Sequence, residues 1–407
     1  MVNSNQIMAI DRLSKWFTPN RPIDLPEYLS GRMDLIYRIR DAVSTQGLHV
    51  ILYGDRGIGK TSLARVMAYM TQEPDRKDGT RAILISCDSN DDYASIWRKV
   101  FQEIMLAQRQ LGFIQQTAAI TIERMDVKEP ITSPNDVRIL IKSFPNPTVI
   151  IIDEFDRVKT SSDARRLMAD TIKLFSDTNV NTTIILVGVA ESISEMIHEH
   201  QSIARNIAQV LVEPMTNAEL AEIIQKGYSG SNLAYESGLD YRIAALSQGY
   251  PHYTHLLGLW AGRKAIETGR SEVSETDLEQ AIHAAIQNTA GGIIQEYEVA
   301  IDSSQPDNLF KDVLLACALA DKDSRGRFSI KSLREPLRQI LNRPTIRSVA
   351  YQGHLAKFCE PHRGPVLKRT GKKRNYRWQF VNPQLIPYIK FDAIERERLT
   401  PESASVL

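Results

Sequence analysis

Residues 54–61 read Gly-Asp-Arg-Gly-Ile-Gly-Lys-Thr, a complete G-x-x-x-x-G-K-[ST] run. Glycines at these spacings let backbone N–H groups wrap a phosphate, and a helix opening at Lys60 turns its positive end toward the same anion. Lys60 then reaches the β- and γ-phosphates of a nucleotide, and the Thr61 hydroxyl supplies a ligand for Mg²⁺. Gly54, Asp55, Arg56, Gly57, Ile58, Gly59, Lys60, Thr61 and Ser62 are therefore the predicted phosphate contacts. A second chemical element is Thr148-Val-Ile-Ile-Ile-Asp153-Glu154, four aliphatics ending in two acids. A carboxylate buried at a strand end needs a charged partner, which makes Asp153 the second predicted metal ligand beside Thr61. Glu154 is the predicted base that orients and deprotonates the attacking water. A Mg²⁺-nucleoside triphosphate is the substrate these residues suit.

Such groups meet only on a scaffold that brings distant strand ends together. Four short, β-branched runs predict strands: His49–Tyr53, Ala82–Cys87, Val149–Ile152 and Thr182–Val187, with Gln209–Val212 as a fifth. Near-continuous apolar strands belong to a parallel sheet covered by helices on both faces. Helical periodicity over Met33–Val43, Tyr93–Gln108 and the stretch opened by Ser133-Pro134 supplies that cover. After Pro214 the strand pattern gives way to helices over Asn217–Tyr228, Tyr241–Ser247, His252–Glu267 and Glu275–Gln287. The predicted fold class is α/β, a parallel-sheet P-loop domain followed by an all-α unit and a C-terminal domain. Its boundaries are 1–48 for an N-terminal arm and first helix, 49–213 for the ATPase core, 214–303 for the helical unit, 304–392 for the C-terminal domain and 393–407 for a tail.

Composition narrows the function classes. The 407 residues carry 50 Lys+Arg against 49 Asp+Glu, 43% hydrophobic residues and three cysteines. No stretch approaches the roughly 18 uncharged apolar residues of a membrane span, and the N-terminus lacks a signal-peptide profile. Cys87, Cys317 and Cys359 are too few and too scattered for a disulfide framework, so a reducing, cytoplasmic setting without membrane attachment is expected.

On these motifs the sequence resembles AAA+ ATPases, and within them origin-recognition-type initiators, transposition-regulator ATPases and the signalling ATPases called STAND proteins. Leu29-Ser-Gly31-Arg32 is similar to the adenine-side motif, and Gly249-Tyr-Pro251 falls in the helical lid of those relatives. The resemblance implies ATP with Mg²⁺ as cofactors, Gly31, Arg32, Pro251 and His252 as further nucleotide contacts, and assembly into homo-oligomers. It also implies an arginine acting on the neighbouring subunit's site, for which Arg205 is the candidate and Arg157 the rival. His252 stands where initiators commonly carry a lid arginine, a difference shared with STAND proteins. Gly188-Val-Ala-Glu191-Ser192 offers no Asn or Arg at the first-sensor position, which predicts slow turnover.

The C-terminal domain reads as three helices, Leu309–Ala320, Ser329–Leu341 and Pro344–Phe358, followed by a hairpin turning at Thr370-Gly371-Lys372. It resembles a winged helix-turn-helix. Between His354 and Arg377 eight basic residues face Glu360 alone, a local charge of +7 in a chain whose total is +1. Concentrated positive charge suits a phosphate backbone, so DNA is an expected partner, contacted through Arg343, Arg347, Lys368, Arg369, Lys372, Lys373, Arg374 and Arg377. The alternative is a STAND-like signalling or defence ATPase whose nucleotide state gates a separate effector protein, with this domain as a protein-docking surface. His354, Cys359 and His362 match no standard zinc spacing, and His198 and His200 cannot share one helix face.

Overall fold

Five aliphatic strands order themselves because each is flanked by polar turns, and the central three are buried on both faces. In the computed structural model they are β1 His49–Tyr53, β2 Arg81–Ser86, β3 Thr148–Asp153, β4 Thr182–Gly188 and β5 Ile207–Leu211, all parallel, in the order β2-β3-β4-β1-β5. The structure describes residues 3–72, 79–110, 131–142, 144, 146–159, 163–189, 201–305, 308–323, 325–372 and 375–406. Lys373, Arg374, Glu191, Ser192, His198, His200 and most of 109–132 lie outside them. The chain divides into two compact units, Pro22–Glu213 and a second made of Met1–Arg21 with Pro214–Leu407.

In the sheet unit the helices are α2 Met33–Ser44, α3 Lys60–Thr71, α4 Tyr93–Gln110, α5 Pro134–Ile141 and α6 Ala164–Asp177. Helix α4 buries Tyr93, Ile96, Trp97, Val100, Phe101 and Ile104, the three-and-four spacing of one apolar stripe. Ser133 caps α5 in a capping box with Asp136, and Pro134 takes the first turn, as the sequence predicts. Register pairs Tyr53 with Gly188 and Ser86 with Asp153. The carboxyl ends of β1, β4 and β3 are thus brought side by side, the crevice where open parallel sheets hold ligands.

The other unit begins with α1 Ser4–Trp16, where the sequence suggests only an arm. Its helices α7 Asn217–Gly230, α8 Leu239–Ser247, α9 Pro251–Glu267 and α10 Glu275–Gln287 match the periodicity, and the two-residue strands β6 Ala234–Tyr235 and β7 Glu272–Val273 pair between them. Glycines on α7 and α9 make the notches that seat α1. A Cβ at Gly227 would come within 2.2 Å of Phe17, and one at Gly258 within 2.4 Å.

Beyond α11 Gly291–Ile301 the chain builds a second core from α12 Phe310–Leu319, α13 Arg334–Leu341, α14 Val349–Lys357, the hairpin β8 Leu367–Thr370 with β9 Arg377–Phe380, and α15 Leu385–Glu395. A last helix, α16, spans Pro401–Val406. Helix α14 starts at Val349, five residues later than the Pro344 signal suggests. The residues from Leu385 to Ala393 on α15 are all buried, Lys390 included, and the Lys390 ammonium donates to the Ala404 carbonyl at 2.9 Å.

Candidate functional site

The phosphate loop follows β1 directly. At Gly54 any side chain would collide with its surroundings: a Cβ there would lie 2.2 Å from the Val212 carbonyl oxygen and 2.6 Å from Ile58 Cδ1. Ile58 is buried and pins the loop from beneath, while Gly59 turns into α3 with φ 94°, a left-handed value that glycine adopts without strain. The first N–H groups of α3 are left pointing into the crevice. Asp55 is half-buried, Arg56 and Gly57 are exposed, and the Ser62 hydroxyl accepts from the Ile23 N–H at 3.1 Å. That last bond holds the segment leading into the sheet unit against the start of α3.

Lys60 folds its ammonium over the loop, donating to the Gly54 carbonyl at 3.0 Å and the Asp55 carbonyl at 2.5 Å. Burial pulls its pKa below the ordinary lysine value, and Asp156, Asp153 and Asp55 oppose that pull. Asp153 ends β3 in a buried position. Burial pushes its carboxyl pKa upward, countered by the nearby Thr61 side chain and by a hydrogen bond from the Glu154 N–H at 2.8 Å. The two residues predicted to hold Mg²⁺ therefore lie beside each other. One carboxylate and one hydroxyl is the sparse protein share that Mg²⁺ takes. A desolvated carboxylate near a single ammonium fits such a cation. Among the described residues no group of three His, Cys, Asp or Glu is placed to hold a metal ion.

Glu154 follows with φ 55°, turning the chain sharply out of β3 into the 3-10 turn Phe155–Arg157. Its carboxylate accepts from Arg157 Nη1 at 2.7 Å, which gives Arg157 a partner within its own subunit. Asp156, two residues beyond the acidic pair's glutamate, is mostly buried; its Oδ1 accepts from the Val189 N–H at 3.2 Å and its Oδ2 lies 3.9 Å from Arg56 Nη2. Three acids within four residues, Asp153, Glu154 and Asp156, were the available sequence signal.

The remaining predicted residues stand elsewhere. Gly31 adopts φ 63°, and Arg32 is buried with Nη2 donating to the Glu213 carbonyl at 2.6 Å. Arg205 precedes β5 and lies 3.7 Å from Asp177 with its side chain 76% exposed. Because β5 is parallel to β1, this places Arg205 at the amino end of the sheet and Lys60 at the carboxyl end, roughly 16 Å away for five residues of strand. In the other unit, Pro251 opens α9, the Pro19 carbonyl sits 2.8 Å from His252 Nδ1, and the Thr18 N–H donates to His255 Nδ1.

The C-terminal hairpin forms with Leu367 opposite Phe380 and Thr370 opposite Arg377. Phe380 and Trp378 point into the core while Lys368, Thr370, Arg377 and Gln379 share the other face. Arg343, Arg347, Arg369, Lys372 and Arg377 are exposed, and Arg369 lies over the Tyr376 ring at 4.3 Å. Arg363, one of the eight counted charges, is instead structural. It donates to the Ala300 and Asp302 carbonyls and sits 3.5 Å over Phe310.

Residues 24–348 match the family model described as Novel STAND NTPase 1. No curated protein matches the chain. Among solved structures it is similar to a Walker-type ATPase of Pyrococcus abyssi, at 18% identity and a TM-score of 0.53 over 92% of this chain and 99% of that one. It is also similar to the ORC2 protein of Aeropyrum pernix, described in ADPNP-ADP complexes, at 14% identity and a TM-score of 0.52 over 94% and 98% of the two chains. These likenesses give the fold, that of a P-loop ATPase. No helix among the described residues is long and apolar enough to cross a membrane.

Proposed function

We propose, for a chain that belongs to the Novel STAND NTPase 1 family, that it binds and slowly hydrolyses ATP and uses the nucleotide state to switch its assembly. The observation that carries this reading is the joining of two distant motifs at one strand edge, where the Thr61 side chain of the phosphate loop acts on the Asp153 carboxylate of the acidic pair. Lys60 and the amide groups opening α3 bind the phosphates. Thr61 and Asp153 would hold Mg²⁺, which when bound supplies positive charge against the β- and γ-phosphates. Glu154 orients water and takes its proton, Arg157 keeps that carboxylate in place, and Gly31 and Arg32 stand on the adenine side. Pro251 and His252 stay part of the proposal as nucleotide contacts of the helical unit. Arg205 is too far along the sheet to serve its own subunit, which supports a role on a neighbour's nucleotide.

For the C-terminal domain the proposal is a winged helix whose basic hairpin and α14 contact DNA, supported by exposed Arg343, Arg347, Arg369, Lys372 and Arg377 and half-buried Lys368; Lys373 and Arg374 belong to the same wing by sequence. Phosphate contacts of this kind make binding fall steeply with salt. The family match favours a second reading, in which ATP changes oligomeric state and the domain docks an effector protein instead. Mass photometry with ATP, with and without duplex DNA, separates them: the first reading requires DNA-bound assemblies, the second ATP-dependent assemblies indifferent to DNA. A cytoplasmic setting goes with either.

Glu154→Gln tests the chemistry. The amide keeps the shape and loses the base, so the variant should bind ATP as the parent does while turnover falls about 10²- to 10⁴-fold. Turnover equal to the parent's removes Glu154 from the base role. A folded parent without affinity for any nucleoside triphosphate removes the whole reading.

A further inference from the structure

Strand β4 lies between β3 and β1, so its carboxyl end stands between the acidic pair and the phosphate loop. Whatever holds that end sets the distance between the two halves of the site. It ends at Gly188, followed by Val189, neither of which has a polar side chain. The polar contact comes from across the crevice: Asp156 Oδ1 accepts the Val189 N–H at 3.2 Å. The same carboxylate lies 3.9 Å from the Arg56 guanidinium of the phosphate loop, and its charge, like those of Asp153 and Asp55, favours the protonated Lys60. A mostly buried carboxylate is costly to keep at a surface turn unless its contacts do something.

We infer that Asp156 is a positioning residue of hydrolysis, tying the end of β4 to the turn after β3 while its charge holds Lys60 and Arg56 on the phosphate side. The inference rests on the ATPase reading and adds a residue to it. It also explains how a site whose β4 ends in glycine, with valine next, keeps that strand end in register with its acids. The Arg56 contact, with its guanidinium largely in solvent, contributes little by itself, so the bond to Val189 and the charge near Lys60 carry the effect.

Two substitutions separate tether from charge. Asp156→Asn keeps an oxygen to accept the Val189 N–H and removes the charge, whereas Asp156→Ala removes both. In the full chain, Asp156→Ala should lower kcat about 10- to 100-fold with KM within about threefold, since ground-state phosphate binding stays with the loop. Asp156→Asn should recover at least about fivefold of that loss through the restored acceptor. Hydrogen exchange at the Val189 amide, read without any turnover, should quicken in Asp156→Ala and stay protected in Asp156→Asn. Parent-like kcat in Asp156→Ala, or equal Val189 exchange in the two variants, overturns the inference. If the alanine chain does not fold, Asp156→Asn decides alone: loss of Val189 protection overturns it. Should the parent itself bind no nucleotide, the ATPase reading fails, yet Val189 exchange still reports on the tether.

Discussion

His49 shows how one side chain can write a pH dependence into a sheet. It opens β1 in a fully buried position, and its Nδ1 accepts the Ile184 N–H at 2.9 Å, which requires the proton on Nε2. Nε2 has no hydrogen-bond partner among the described residues, and burial pulls the pKa from 6.5 down to about 4. Between those values the unfolded chain binds the proton and the folded chain does not, so stability rises with pH through that window and is lost on acidification. At about 1.4 kcal/mol per pKa unit the loss amounts to about 3 kcal/mol from above pH 6.5 to below pH 4. His49→Asn removes the titration. Denaturant melts across this range should show the variant losing about 3 kcal/mol less than the parent, and parallel losses would exclude His49 as the source. The phosphate loop and the Asp153-Glu154 pair were legible in the sequence because each is contiguous and its chemistry is local. The roles of His49 and Asp156 were not, since both depend on which strand lies beside which.

Elements were legible where their own periodicity fixes them, as with the five strands and the α4 stripe. Among the helices that were not, three escaped for different reasons. Gly291-Gly292 open α11 with two poor helix formers, and α15 is buried all round and so has no amphipathic period to find. Helix α1 buries only Leu13 among its own residues, and its stability comes from outside. Gln6 Nε2 donates to the Ile266 and Glu267 carbonyls at the end of α9, and Leu13, Trp16 and Phe17 lie against Gly262, Gly230, Gly227 and Gly258. The glycines are spaced along α7 and α9 so that an aromatic ring takes the place of side chains. Phe17→Ala should therefore empty a notch that nothing nearby can refill, at a cost of about 3–5 kcal/mol. A melt of the full chain measures it; a loss under about 1 kcal/mol would mean that the helix is not held by its ring. Gly258→Ala attacks the same notch from the other side and should destabilise through overpacking.

At the scale of the whole molecule, the placement of Arg205 and Lys60 at opposite ends of parallel strands decides what an assembly must do. One chain cannot bring its own Arg205 to its own phosphates, because five residues of β5 separate the two ends of the sheet. If the arginine acts in catalysis, the acting copy belongs to another chain, and two different defects can then complement each other. Lys60→Ala chains lack a working phosphate site but keep Arg205, while Arg205→Ala chains keep the site and lack the donor. Each alone should turn over ATP at least about tenfold more slowly than the parent. Mixed at equal amounts and allowed to co-assemble with ATP, some interfaces pair an intact Lys60 with an intact Arg205, and turnover should rise well above either variant alone. Arg205 at its own exposed site makes only a long, solvated contact with Asp177, so its loss should leave thermal stability within about 0.5 kcal/mol of the parent. That separates a catalytic loss from a folding one. A mixture no more active than its components, with assembly seen by mass photometry, would assign Arg205 to the surface and leave the transition-state charge to Lys60 and the loop amides alone.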